Sequence, residues 1–256
     1  MKNSLMKAIC LIGCILMMIP NVQYAKETQK KATPGTAIFV MATPKQEPEI
    51  SENKIVINMP ELKLDISIPQ FKFLQDKAFQ NKLNQRLQAE AKQREKEIVR
   101  QAEALNKDIL IDGLQPIPFE YKESFNNMRT PYPYYSIELY KYQYSGGAHG
   151  YNELSYINLN QETNQLILLK DLFKPNVNYI GISNELINQE IAQRRMSGEF
   201  FYSGSEGFQT IKEKQLFFIN ENGEIVIVFN EYEIAPYASG PIYIKLSKNK
   251  LQDYLK

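Results

Sequence analysis

The sequence predicts an α+β fold made of two small antiparallel-sheet subdomains, each with a packed helix, the first helix being long. Strand-like segments with a period of two come in hairpins. Two amphipathic helical segments separate these hairpins, and the first helical segment is the longer. Strands that are grouped in this way, instead of alternating singly with helices, are typical of α+β proteins. The pattern places the N-terminal subdomain at residues 53–165 and the C-terminal subdomain at residues 166–256.

The first subdomain opens with two strand segments. Residues 54–58 and 62–68 are rich in β-branched and apolar side chains. In the second segment Leu64, Ile66 and Ile68 alternate, so they point to one face, as a strand with one buried side requires. Proline cannot donate to a ladder, and we expect Pro69 to end this strand.

A long helix is predicted from about Asp76 to Lys107, where the chain has no Gly or Pro. Its apolar side chains recur at helical spacing: Phe79, Leu83, Leu87, Ala91, Ile98, Ala102 and Leu105. The charged middle of the segment, residues 92–97, resembles a basic recognition surface. We interpret it instead as a solvated face, because Glu90 and Arg94 have the spacing of an ordinary i,i+4 pair.

The remaining strands are marked by turn residues. Residues 134–144 and 154–159 form a predicted hairpin around a glycine-rich turn. A second helix follows at about residues 177–196. Another hairpin, with Asn222-Gly223 at its turn, and a last strand close the chain at residues 215–229 and 241–246.

The N-terminus predicts export. Residues 1–25 have a basic start, a short apolar stretch and a small residue, Ala25, before the expected cleavage point. The alternatives are lipidation of Cys14, which would anchor a lipoprotein, and an uncleaved anchor, for which the apolar stretch is short. Residues 26–52 have the polar, Pro-containing composition of a flexible linker.

Composition excludes several function classes for a chain cleaved after Ala25. Cleavage removes Cys10 and Cys14, the two cysteines, and leaves His149 as the single histidine. Thiolate metal sites, disulfides and zinc sites with several imidazoles are then out of reach. The formal charge changes from +1 to −1, because two of the 30 basic residues are lost against 29 acidic ones. We therefore expect no nucleic-acid partner, no metal and no cofactor.

One segment invites an enzymatic interpretation. Ser145 and His149 lie close together beside glycines, and a hydrolase centred on them is the alternative function. The segment lacks the G-x-S-x-G nucleophile elbow and the Lys-Ser/Thr pair of a phosphate loop. The competing interpretation is structural: the glycines supply positive φ angles, and His149 bonds to the backbone.

Tyrosine is concentrated around the first long hairpin, where nine of the 16 tyrosines fall between Tyr121 and Tyr156. Tyrosine favours strands in general. Exposed tyrosines also suit protein or sugar contact, because the ring buries a large area and keeps a polar tip. Strand alternation allows both roles.

Two segments together resemble a known family. They are residues 145–150, Ser-Gly-Gly-Ala-His-Gly, followed by Asp171-Leu172-Phe173, and residues 231–241, Glu-Tyr-Glu-Ile-Ala-Pro-Tyr-Ala-Ser-Gly-Pro. In this order they are similar to the paired extracytoplasmic domains of unknown function found in the anti-sigma-V factor RsiV and in the peptidoglycan deacetylase PdaC. The resemblance runs from about Lys54 to the C-terminus.

The resemblance implies a non-enzymatic, extracytoplasmic binding module for a lysozyme-like protein or for peptidoglycan. An anti-sigma role is not expected, because seven residues precede the apolar stretch. Deacetylation is not expected either, since the metal-binding deacetylase domain is missing. Tyr151 stands where the family pattern has Asn. The residues we expect to contact a ligand are Tyr142, Tyr144, His149, Tyr151 and Tyr237.

Overall fold

The computed structural model describes residues 48–256 of the protein. The predicted signal peptide, the Cys14 lipidation site and the first 22 residues of the predicted linker lie outside the described residues. No helix within residues 48–256 combines the length and the apolar character that crossing a bilayer requires.

The larger of two sheets has six strands in the order β1-β2-β3-β4-β5-β6. Four of its five strand pairs are antiparallel, and β2 and β3 are parallel. The strands are β1 (Glu49–Met59), β2 (Leu62–Lys72), β3 (Phe119–Met128), β4 (Tyr134–Tyr144), β5 (Tyr151–Asn160) and β6 (Gln165–Leu166).

Helix α1 (Lys77–Ile111) connects the two parallel strands and packs on one face of this sheet. It begins at Asp76, whose carboxylate accepts from the backbone N–H groups of Ala78 and Phe79 at 2.8 and 3.0 Å. Parallel neighbours need a crossover of this kind. At the other end of α1, Asn106 is fully buried, and its amide bonds both the N–H and the C=O of Ile117.

The smaller sheet has three antiparallel strands in the order β7-β8-β9. They are β7 (Phe217–Ile219), β8 (Ile225–Phe229) and β9 (Ile242–Lys245). Helix α2 (Tyr179–Met196) buries Ile187 and Ile191 against one face of this sheet. A short helix, α3 (Lys248–Leu251), follows the last strand.

The two sheets meet along a seam between the outer face of β4 and β5, which points away from α1, and the second face of the small sheet. The apolar part of the seam consists of Leu154, Phe218, Val226 and Val228. Its polar part includes Asn158, a buried residue whose Nδ2 donates to Phe217 O at 2.7 Å. The small sheet is therefore covered on both faces, by α2 and by the larger sheet.

The predicted α+β class, with two sheets, a packed helix on each and a long first helix, is confirmed. Strand β3 was not predicted, and β2 does not end at Pro69. Its pairing with β3 stops at Ile66, so Pro69 lies where β2 has a neighbour on one side alone, as proline tolerates. Residues 49–52, which composition placed in the linker, extend β1 because β2 offers them a partner.

The predicted pairing of Glu90 with Arg94 is wrong. Glu90 pairs with Arg86 at 2.7 Å, not with Arg94, because Arg94 reaches Glu123 on β3 instead. The subdomain boundary at residue 165 stays a prediction. The short strand β6 spans this position and pairs with β5.

Candidate functional site: an aromatic cluster at the seam

The glycine-rich turn between β4 and β5 forms one side of the candidate site. Gly146 and Gly147 have φ angles of 87° and 109°, which confirms the predicted need for positive φ. The Tyr144 hydroxyl donates to Gly147 O at 3.2 Å and ties the turn back to β4. The turn is thereby given a definite shape.

Gly150 ends this turn beneath an aromatic ring. A Cβ built at Gly150 would lie 2.3 Å from the ring of Tyr142, so no larger residue fits without movement. His149 Nδ1 lies 2.8 Å from Gly150 O, which confirms the predicted backbone bond of this histidine. That bond orients the imidazole.

The imidazole of His149 stacks on a tyrosine from the second sheet's loop. The centroids of His149 and Tyr237 are 4.6 Å apart, with 23° between the ring planes. Tyr232 stacks on Tyr237 at 5.6 Å and 27°. We refer to His149, Tyr232 and Tyr237 as the aromatic cluster. It joins two segments that are more than 80 residues apart along the chain.

The backbone of Tyr232 is strained. Its φ is 65°, in the left-handed region that a bulky side chain rarely adopts. Such a conformation costs of order 1–3 kcal/mol and persists where surrounding contacts enforce it. The Glu233 carboxylate accepts from Asn230 N at 2.8 Å and Asn230 O accepts from Glu233 N at 3.1 Å, which closes the turn around Tyr232.

A chain of polar side chains lies beside the aromatic cluster. The Tyr140 hydroxyl donates to Asn152 Oδ1, and Asn152 Nδ2 donates to Glu231 Oε1 at 3.1 Å. Burial, followed by the negative charge of Glu231, raises the pKa of Tyr140 above its ordinary value. The phenol therefore stays a neutral donor at physiological pH.

The loop that carries Glu231 is fixed to the larger sheet by its neighbour. Asn230 Oδ1 accepts from Leu154 N at 2.7 Å, and Asn230 Nδ2 donates to Leu154 O at 3.1 Å. A side-chain amide thus replaces a strand partner at β5. This two-point contact positions Glu231 against Asn152.

The structure brings together some of the predicted contact residues and separates others. His149 and Tyr237 stack directly, and Tyr142 packs against Gly150 next to them. Tyr144 holds the turn. Tyr151 pairs with Gln143, one position away from Asn152, so alternation puts it on the opposite face of the strand.

Several tyrosines of β3, β4 and β5 are used in packing. Tyr121 and Tyr135 lie in the core between α1 and the sheet, whereas Tyr140 and Tyr156 pack against the apolar seam. Sequence reasoning missed Asn152, Glu231 and Tyr232 as members of the site. The last two lie inside residues 231–241, one of the two segments that carry the family resemblance.

The hydrolase alternative receives no geometric support. Within the described residues His149 contacts Gly150 and Tyr237, and it has no hydrogen bond with Ser145 or with a carboxylate. A nucleophile and its base must lie within hydrogen-bond reach. Residues 48–256 also hold no group of three or more His, Cys, Asp or Glu side chains that could bind a metal ion.

Two surface hollows are bordered by residues outside the aromatic cluster. One, of about 320 Å³, is bordered by Arg194, Phe200 and Tyr243. The other lies between β1, β2 and α1 and is bordered mainly by amide side chains such as Asn81 and Gln85. Neither includes a residue of the cluster, which presents a surface made of stacked rings.

The fold and the cluster define a protein in which two sequence regions jointly build one surface, and two family models match these regions. The family described as Deacetylase PdaC matches residues 55–152. The family described as a protein of unknown function, DUF3298, matches residues 170–249. The two matches and the RsiV similarity described next confirm the predicted resemblance to the RsiV-like and PdaC-like paired domains. His149 and Asn152 come from the first region, and Glu231, Tyr232 and Tyr237 from the second.

A curated relative gives the family a named member. The anti-sigma-V factor RsiV of Bacillus subtilis (strain 168) is 27% identical over 193 residues, covering 73% of this chain and 62% of RsiV. This chain thus spans less than two thirds of the length of that relative.

Solved structures share the fold. A DUF3298 family member from Bacteroides fragilis NCTC 9343 superimposes with a TM-score of 0.63 at 18% identity, over 82% of this chain and 93% of that one. A DUF3298 family protein from Pseudomonas aeruginosa PAO1 gives a TM-score of 0.51 at 16% identity, over 82% and 94% of the two chains. At these identities the likeness establishes the fold alone.

Proposed function

We propose that this protein is a non-enzymatic, extracytoplasmic binding module that recognises a protein, with a lysozyme-like hydrolase as the first candidate. The observation that carries the proposal is the stack of His149, Tyr237 and Tyr232, which both family regions contribute. Similarity to RsiV, together with the signal-peptide character of residues 1–25, supports action outside the cytoplasm.

The shape and chemistry of the aromatic cluster support a macromolecular partner. Tyr232 is 50% exposed although its backbone is strained, so the fold keeps a large ring at the surface. Tyrosine is enriched in the energetic centres of protein interfaces, because it buries much area with few rotatable bonds. The fold thus accommodates the strain at Tyr232 while its ring stays at the surface.

A cell-wall glycan is the second candidate. Stacked tyrosines offer flat faces to a sugar ring, and the nearby Asn152 and Glu231 are polar groups of the kind that bond hydroxyls. Peptidoglycan would then be the ligand, and the same cluster would bind it.

Retention on immobilised lysozyme and on purified peptidoglycan tests both candidates. We expect the wild-type protein to be retained on lysozyme and the Tyr237→Ala variant to bind at least about tenfold more weakly, because such anchors contribute about 2 kcal/mol or more. Tyr232→Gly should lose affinity while keeping its stability, since glycine accepts the positive φ.

Tyr254→Ala is the matched control, because Tyr254 is an exposed tyrosine outside the cluster. Circular dichroism establishes that each variant is folded. Retention on peptidoglycan without retention on lysozyme would select the glycan. A folded wild-type protein that binds neither material would refute the proposal.

A further inference from the structure

Glu231 is a buried carboxylate, one of whose oxygens has no hydrogen-bond donor among the described residues. The residue is 8% exposed. Its Oε1 accepts from Asn152 Nδ2, whereas its Oε2 is buried and has no hydrogen-bond donor among the described residues. Glu231, which carries this unpaired Oε2, directly precedes Tyr232 in the sequence.

An unpaired buried carboxylate oxygen is unfavourable. Burying a polar atom without a partner forfeits its hydration, and the penalty is larger when the group is charged. Within residues 48–256 no lysine or arginine forms an ion pair with Glu231. Lys212, which approaches the same loop, is paired with Glu233 instead. Glu231 Oε2 is therefore a buried hydrogen-bond acceptor without a positively charged partner among the described residues.

The surroundings of Glu231 suit a cation from outside. Aromatic faces attract ammonium and guanidinium groups, and Tyr232 and Tyr237 form stacked rings in the same loop. The nearby Tyr140 hydroxyl is already used by Asn152, so it does not compete for Glu231 Oε2. A negative charge and aromatic rings in one place favour a positively charged ligand group over a neutral one.

We infer that Glu231 Oε2 and the aromatic cluster form a receptor for a cationic side chain, Arg or Lys, presented by the partner protein. The inference rests on the proposed function in taking the partner to be a protein. Because Oε2 is buried in the free protein, a neighbouring side chain has to move before the cation can reach it.

A titration with small probes tests the inference directly. N-acetyl-arginine amide and its neutral isostere, N-acetyl-citrulline amide, are added to the purified protein, and backbone amide shifts are followed by NMR. We expect saturable shifts around Asn152, Glu231 and Tyr232 with the arginine probe. The citrulline probe should cause no shifts, because it lacks the positive charge. The arginine probe should cause none in the Glu231→Gln variant, because the negative charge is missing there.

Glu221→Gln is the control, because it removes the same charge from the exposed turn between β7 and β8. It should respond as the wild type does. Equal shifts with both probes, shifts that persist in Glu231→Gln, or no shift at all with the arginine probe would each overturn the inference.

The lysozyme assay separates this inference from the proposed function. If the inference holds, Glu231→Gln weakens lysozyme binding by about ten- to a hundredfold, as for lost hydrogen bonds to charged groups. Unchanged lysozyme binding by Glu231→Gln would reject the cation receptor and leave the binding module in place. If the wild type does not bind lysozyme, that result counts against the proposed function. The arginine titration still tests the cation receptor independently.

Discussion

Single residues at the seam determine the shape of the candidate site. Gly150 is the clearest case, because its missing Cβ leaves room for the ring of Tyr142, and its C=O lies against the imidazole of His149. A side chain at this position would push on the ring and, through the turn, on the aromatic cluster. Gly150 is thus needed for close packing and not for its backbone angles.

Replacing Gly150 with Ala should destabilise the protein by about 1–3 kcal/mol, as overpacking of a filled site does. Urea unfolding measures the loss. The double variant Gly150→Ala/Tyr142→Ala removes the ring that causes the clash, so Ala at position 150 should then cost much less. A cost that is independent of residue 142 would show that the contact with Tyr142 is not the reason for glycine.

The sequence predicted some residues of the site and missed others, and Glu231 shows why. His149 and Tyr237 stood out because they belong to recognisable segments. Glu231 is hydrogen-bonded by Asn152, which lies 79 positions earlier in the chain. No local pattern marks a carboxylate whose hydrogen-bond donor is so distant in sequence.

Among the elements, α1 was predictable and β3 was not. The spacing of Leu83, Leu87 and Ala91 identifies the buried face of the helix, and these residues are buried. In β3 the inward positions are Phe119, Tyr121 and Glu123. A glutamate in the buried series interrupts the apolar alternation by which a strand is detected.

Glu123 is tolerated in β3 because α1 supplies its partner. It is 2% exposed, and its two oxygens accept from Arg94 Nε and Nη2 at 2.8 and 2.9 Å. This bidentate pair links the helix to the strand that follows it. The ion pair therefore explains why a glutamate is stable on the buried face of β3. The sequence of β3 taken alone does not reveal this partner.

Arg94→Ala should destabilise the protein by about 3–5 kcal/mol, because it leaves a buried carboxylate without its countercharge. Arg86→Ala is the control, since Arg86 and Glu90 form an exposed pair and such pairs contribute at most about 1 kcal/mol. Urea midpoints compare the variants. Equal, small effects of the two substitutions would mean that the Arg94–Glu123 pair does not stabilise the packing of α1.

For the molecule as a whole, one buried and one half-buried tyrosine make the stability depend on alkaline pH. Burial and the charge of Glu123 raise the pKa of Tyr121, and burial and the hydrogen bond to Glu138 raise the pKa of Tyr156. Unfolded tyrosine titrates near its ordinary pKa of 10.0. The folded state therefore binds these protons more tightly than the unfolded state.

The sign of the effect follows from this difference. The stabilisation is fully present below pH 10 and is lost as the pH rises toward the higher pKa values of the folded state. We expect the free energy of unfolding to fall above pH 10, and Tyr156→Phe to make that fall shallower. Tyrosinate absorbance that rises near pH 10 for every tyrosine, with the circular dichroism unchanged, would contradict this.

The seam between the sheets couples stability to the binding of any ligand that spans it. His149 and Asn152 lie on one side of the seam, and Glu231 and Tyr237 lie on the other. A ligand that touches both sides therefore binds only the state in which the two sheets are docked. By thermodynamic linkage such a ligand holds the sheets together, with about 2.7 kcal/mol at a concentration 100 times its dissociation constant. The same linkage runs in reverse. A substitution at Asn158, which is buried in the seam, would lower the apparent affinity in proportion to the fraction of undocked molecules that it creates, without contacting the ligand.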